Sequence, residues 1–217
     1  MTGSEEVGPY GHNNPHDVAN WTSNGYNFIY VPGTATSSGA YSPEFSEYNS
    51  LWGQANGGRV QLGRKWPARQ RQFMALDGDY ETGSFMQTIS GLQRGTVYAV
   101  SFWYAFAQQT GYTGATIQDL SISLGSSHQH VPFYDLSSQD FSGWKQATMY
   151  FEADSSSDVL GFLASGNLQL PPFALLADVS MVEAPEPATW TMMGVGLAGL
   201  IGAARLRRGK VAPAPAG

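Results

Sequence analysis

Pro185-Glu186-Pro187 is the trio whose surroundings most restrict its chemistry. Seventeen residues without a charge follow it, Ala188 to Ala204, and then come Arg205, Arg207, Arg208 and Lys210. As a helix the uncharged run rises about 25 Å, the short end of what crosses a hydrocarbon core. Cations just beyond such a run hold that end on the cytoplasmic side. The prolines at the other end suit an extended segment and stop the helix from continuing backwards. A protease at the membrane surface could hydrolyse this peptide. A permanent tail anchor, or a buried apolar helix, is the alternative account of the same residues.

Acids and histidines come next. Asp77, Asp79 and Glu81 alternate, so in an extended chain they share one side, as a hard cation with six to eight oxygen ligands would require. The Gly and Glu positions of a twelve-residue calcium loop are missing, and turn-forming carboxylates are the plainer account. A glycosidase needs two carboxylates facing each other across a cleft. No pattern marks such a pair, and no catalytic residue is expected. His12 and His16 are four apart, but Pro15 forbids the helix that would align them on zinc. His128 and His130 in a strand share a face, and both pairs are expected to meet solvent. Nothing resembles a nucleophile elbow, a phosphate loop or a dinucleotide fingerprint.

Aromatic residues offer another chemistry, since flat rings stack on the apolar faces of pyranoses. Phe102, Trp103 and Tyr104 lie in a run dense enough to be core, and Trp144 is read the same way. Tyr48, Trp52, Trp66 and Tyr112 sit in loops and are the candidates for a saccharide platform, although a loop aromatic can equally plug the edge of a domain. Arg59, Arg64, Lys65, Arg69 and Arg71 gather within thirteen residues. They either neutralise nearby acids or contact an acidic polysaccharide.

Short strands must position these groups. Tyr26–Val31 is followed by a Pro32-Gly33 turn. Phe73–Leu76, Phe85–Ile89, Val97–Phe106, Ile117–Leu124, Lys145–Phe151, Val159–Ala164 and Phe173–Val182 follow at regular intervals between Gly-rich turns. Within the fourth of these, Ile117, Ile122 and Leu124 are expected to point inward, with Leu120 joining them after a slip. No amphipathic helix is evident outside the tail. The pattern predicts an all-β fold, an antiparallel β-sandwich or jelly roll over residues 1–183, followed by a single C-terminal transmembrane helix.

Composition sets further bounds. Residues 1–187 hold all 17 acids but only 7 of the 11 basic residues, a net charge of −10. Such a surface seeks neither nucleic acid nor anionic lipid. Cysteine is absent, so the domain is held by its core, with or without a metal. The N-terminus has no basic n-region and no apolar h-region. The chain is therefore expected to begin downstream of an export signal.

From Ala184 to Lys210 the order of tripeptide, apolar span and arginine cluster resembles the PEP-CTERM sorting signal of Gram-negative bacteria. The resemblance implies recognition of Pro185, Glu186 and Pro187 by exosortase, a membrane cysteine protease, with Arg205, Arg207 and Arg208 holding topology. It divides the tail into the helix 188–204, a basic segment 205–210 and a disordered end 211–217. Phe73–Tyr80, Gln87–Leu92, Gly95–Phe102 and Phe173–Ser180, with Trp21 and the segment from Trp144, are similar in order and spacing to galactose-binding-like jelly rolls of carbohydrate-binding modules. Thr2 to Glu6 looks like a degraded form of the stretch that opens many such domains. That likeness implies a structural calcium between Glu5 or Glu6 and Asp178. Together the two resemblances imply an exported cell-surface or matrix protein, structural or adhesive in an exopolysaccharide layer, not an enzyme. It would meet the inner membrane transiently, then exosortase, and weakly a polysaccharide. A permanently anchored protein-binding sandwich and a secreted polysaccharide-degrading enzyme are the rival readings.

Overall fold

A computed structural model describes residues 18–30, 40–42, 47–53, 73–167 and 170–185. The chain divides after Val182, and of the second unit, Glu183–Gly217, the described residues are Glu183, Ala184 and Pro185. Two antiparallel sheets make up the first unit. One contains β1 (Thr22–Ser23), β6 (Phe85–Ser90), β12 (Ser157–Gly166), β8 (Thr116–Leu124) and β10 (Tyr134–Leu136) in that order, and β9 (Ser127–His130) also pairs with β8. The other runs β11 (Lys145–Glu152), β7 (Val97–Gln108), β13 (Pro172–Glu183), β5 (Phe73–Asp77), β2 (Phe28–Tyr30). A short ribbon joins β3 (Ala40–Ser42) to β4 (Glu47–Asn49). The sandwich expected from the two-residue period is therefore present, and the described residues contain no helix. None of them forms a helix long and apolar enough to cross a membrane; residues 188–204 lie outside them.

Alternation fills the space between the sheets. Phe102, Tyr104 and Phe106 of β7 meet Leu120, Ile122 and Leu124 of β8 and Phe162 of β12 in one apolar cluster. Trp21 stacks on Phe85 at 4.4 Å between ring centres and closes the cluster near β1. The second sheet is also covered on its other face. Phe28, Phe73, Ala75, Ala105, Phe173 and Leu175 form a second cluster there, joined by Leu51 and Phe141 from outside the sheet.

Two details of register correct the expectations. In β8 the inward set is Thr116, Gln118, Leu120, Ile122 and Leu124 without a slip, and Ile117 is 52% exposed. The buried polar pair is tolerated because the Gln118 amide donates to the Thr116 hydroxyl at 2.8 Å and to the Ala107 carbonyl at 3.0 Å. Trp103 is half-buried rather than core, since Phe102 and Tyr104 on either side of it face the first cluster. Trp144 is half-buried as well, against the second cluster, with its ring edge-on to Phe73 at 5.4 Å.

Strand β13 changes faces along its length. Phe173, Leu175 and Ala177 belong to the second cluster, but beyond Asp178 it is Val179 and Met181 that pack on the first. Asp178, at φ 48°, lies where the alternation inverts. Asp tolerates this left-handed conformation better than a β-branched residue does. Asp178→Val should therefore melt lower than Asp178→Gly, by about 1–2 kcal/mol in thermal unfolding.

Candidate functional site

A cleft of about 260 Å³ opens on the outer face of the first sheet, where β8 and the end of β12 lie beside the connection between β9 and β10. The strand pairing sets its floor: Asp119 lies opposite Ser165 and Gln118 opposite Gly166. Asn167 turns the chain off β12 by accepting a hydrogen bond from the Ile117 N–H at 2.8 Å and donating its own N–H back to the Ile117 carbonyl at 3.2 Å. Gly166 permits that approach, because a Cβ there would lie 3.0 Å from the Ile117 carbonyl oxygen and overlap the Pro172 ring. Phe133 forms the wall, with its side chain 72% exposed.

The polar element is Asp119. Its outer oxygen, Oδ2, lies 2.7 Å from Nδ1 of His130, which β9 places on the same face opposite Ser121. Oδ1 is buried and has no hydrogen-bond partner. An acceptor left in that state costs about 1–3 kcal/mol, and because the atom is closed to solvent a ligand in the cleft does not meet it without a local shift. The cleft thus offers an apolar ring, a short aliphatic surface at Ile117 and, at its polar side, the carboxylate of Asp119 paired with His130. Its volume suits one small polyhydroxylated ring.

The aromatic candidates divide. Trp52 and Tyr112 come together: the Trp52 indole N–H donates to the Tyr112 carbonyl at 2.6 Å, and Ser50 and Thr110 hydroxyls meet at 2.7 Å beside them. Trp52 is half-buried and Tyr112 exposed. The indole N–H is therefore engaged in holding the loop and not offered outward. Trp66 and the side chain of Tyr48 lie outside the described residues, as do the cationic stretch 59–71, His12 and His16. His128 and His130 do share an exposed face, as alternation requires.

The carboxylates of the Asp77 turn do not face one side. Asp77 is fully buried, and its two oxygens accept the N–H groups of Asp79 at 3.1 Å and Glu81 at 2.8 Å, closing a turn. Burial pushes its carboxyl above the ordinary value, against the lowering effect of those N–H groups. A raised folded value means stability that is present at acid pH and lost as pH rises through it. The stability of the wild type relative to Asp77→Asn should therefore increase as pH falls from 7 towards 4, read from paired thermal melts. Among the described residues no three His, Asp or Glu side chains converge. Glu5 and Glu6 lie outside those residues, so of the calcium expectation Asp178 alone is seen, in its register-changing position.

Phe133 and Asp119 were not singled out in the sequence. The one signal was the aromatic pair Phe133-Tyr134 directly after Val131-Pro132, in a connection too short to bury both rings.

Comparison with known proteins bears first on the tail. Residues 183–208 match the PEP-CTERM protein-sorting motif, a signal for exosortase-dependent export to the cell surface or beyond. Of that match Glu183, Ala184 and Pro185 are described and the rest is not. No curated protein matches the chain. Its sandwich is similar to solved β-sandwiches. One is TmCBM61 in complex with beta-1,4-galactotriose, with 13% identity, 85% of this chain and 100% of that one covered, and a TM-score of 0.37. Another is Family 16 Carbohydrate Binding Module-2, with 16% identity, coverage of 65% and 89%, and a TM-score of 0.32. A third is the K3 cleaved adhesin domain of Lys-gingipain from Porphyromonas gingivalis W83, with 10% identity, coverage of 76% and 92%, and a TM-score of 0.41.

Proposed function

We propose that this is an exported protein of the cell surface or extracellular matrix, released from a temporary membrane anchor by exosortase, whose sandwich holds it in a neutral polysaccharide layer. The observation that carries the first half is where the sorting motif begins: it starts at residue 183, where the compact unit has just ended at Val182. Cutting near Pro185, Glu186 and Pro187 would leave β13 and both apolar clusters whole. The uncharged run 188–204 is the disposable anchor in this reading, and Arg205, Arg207 and Arg208 fix its direction. Mass spectrometry of the shed protein tests it. A C-terminus near residue 187 supports release, and one that retains Lys210 supports a permanently anchored protein instead.

The second half rests on the cleft. Phe133 exposes an apolar ring in the cleft that Asp119, paired with His130, also lines, the kinds of surface that a pyranose meets with its C–H face and its hydroxyls. The net charge of −10 on residues 1–187 directs the choice to neutral rather than acidic glycans. Phe133→Ala should weaken retention on neutral polysaccharide in affinity electrophoresis by roughly tenfold or more, since a buried aromatic contact contributes about 1.5–3 kcal/mol. Retention that is unchanged by Phe133→Ala but lost on replacing Trp52 and Tyr112 would move the platform to that corner. A structural calcium at Asp178 remains part of the proposal, and a chelator should then lower the melting temperature. Release of reducing sugar on incubation with polysaccharide would favour the degrading-enzyme reading.

A further inference from the structure

The outer face of the second sheet is covered over one half and bare over the other. Towards the end where β13 leaves the sheet, Tyr150 of β11 pairs with Ala99 of β7, and Val97 pairs with Glu152. Across β7 the Ser180 hydroxyl donates to the Ser101 carbonyl at 3.4 Å, so in the antiparallel sheet Val182 falls level with Ala99. Tyr150 is 57%, Val182 62% and Val97 41% exposed. The inward neighbours Tyr98, Met149 and Met181 pack on the first cluster, which leaves these three side chains no choice but water. They form an apolar row across three adjacent strands.

We infer that this row is the surface on which exosortase seats the folded sandwich before it cuts the tail; the inference rests on the processing reading above. Chain length is the first argument. Val182 stands five residues from Pro187, at most about 18 Å of extended chain, so whatever holds the tripeptide meets this end of the sheet. Area is the second: a tripeptide alone covers far less than the roughly 800 Å² that each partner contributes to a standard interface, and the exposed side chains of Tyr150, Val97 and Val182 would add to it. Chemistry is the third. Exposed Tyr150 is the kind of aromatic side chain in which interface centres are enriched, Val97 and Val182 add apolar surface, and Glu152 and Glu183, both exposed, give it an acidic rim. That rim suits a protein face with basic margins and disfavours an anionic lipid surface.

The test follows the full-length chain in a host containing exosortase, by pulse-chase of its release into the medium. Tyr150→Glu with Val182→Glu should slow release about tenfold or more, the effect of losing an interface anchor, and the released form should melt as the wild type does. Gln146→Glu, on the same strand and face but beyond the row, should be released at the wild-type rate. If the double variant folds poorly, Tyr150→Gln alone should show the same direction with a smaller effect. Glu186→Ala should block release entirely. Wild-type release of the Tyr150 and Val182 variants, with Glu186→Ala blocked, overturns the docking surface and leaves exosortase processing intact. Normal release of Glu186→Ala overturns the processing reading and the inference with it. Co-flotation of the shed wild-type protein with phosphatidylglycerol vesicles, lost in the double variant, would assign the row to lipid and also overturn the inference.

Discussion

Gly83→Ala is expected to cost the sandwich about 3 kcal/mol or more, the upper end of what overpacking does. A Cβ at this position would overlap the Asn24 carbonyl and come within 2.6 Å of the Gly25 Cα. Both obstacles are backbone, so no side-chain rotation can make room. They are also pinned: Asn24 N–H donates to the Ser84 carbonyl at 3.2 Å and Tyr26 N–H to the Glu81 carbonyl at 2.9 Å. Moving either segment pulls on β1 and β2, which lie in opposite sheets. At about 2–4 °C per kcal/mol for a domain of this size, the melting temperature should fall by roughly 6–12 °C. Gly91→Ala is the comparison. Gly91 has φ 82° but nothing within 4 Å, so it should lose only the roughly 1 kcal/mol of a left-handed alanine. Equal losses at the two glycines would show that the crossing at Gly83 gives way more easily than backbone should.

Asn27→Ala should cost a similar amount by a different route. Asn27 is fully buried, and its amide donates to the Ser23 hydroxyl at 2.9 Å and the Gly83 carbonyl at 3.3 Å. Its carbonyl oxygen accepts the Asp77 N–H at 3.0 Å. One side chain thus joins β1, the segment leading into β6, and β5, and so bridges the two sheets. Alanine leaves the Asp77 N–H and the Gly83 carbonyl buried without partners, at about 1–3 kcal/mol each. Asn27→Asp should be worse above the range where carboxylates protonate, because it loses both donors and buries a charge beside Asp77. Thermal melts at pH 4 and pH 7 would separate the two: the alanine variant should show no extra loss at neutral pH, and the aspartate variant should. Because Asn27 and Gly83 share a contact, their double variant should lose less than the sum.

The long strands were legible residue by residue. Phe85–Ile89 became Phe85–Ser90, Val97–Phe106 became Val97–Gln108, and Phe173–Val182 became Pro172–Glu183. Their period of two is a local property, set by side chains that face alternate sides, and glycine turns bound them. Short strands such as β9 and β10 were not legible. Neither has an apolar period, and each is a strand because β8 offers it an edge. Ile117 shows how the local signal fails: an isoleucine in an alternating run looks like core, yet Thr116 and Gln118 took the inner face because hydrogen bonds were waiting there.

The sequence by itself determined the sandwich, the uncharged run and the PEP-CTERM motif, because each is written in contiguous residues whose period or order carries the information. The cleft is different. Phe133 and Asp119 are apart in the chain and line one cleft because two strands pair on the same edge of β8, and the row of Tyr150, Val97 and Val182 exists because three strands lie side by side. Which side chains become neighbours depends on hydrogen bonds formed across the sheets, and no single stretch of sequence contains them.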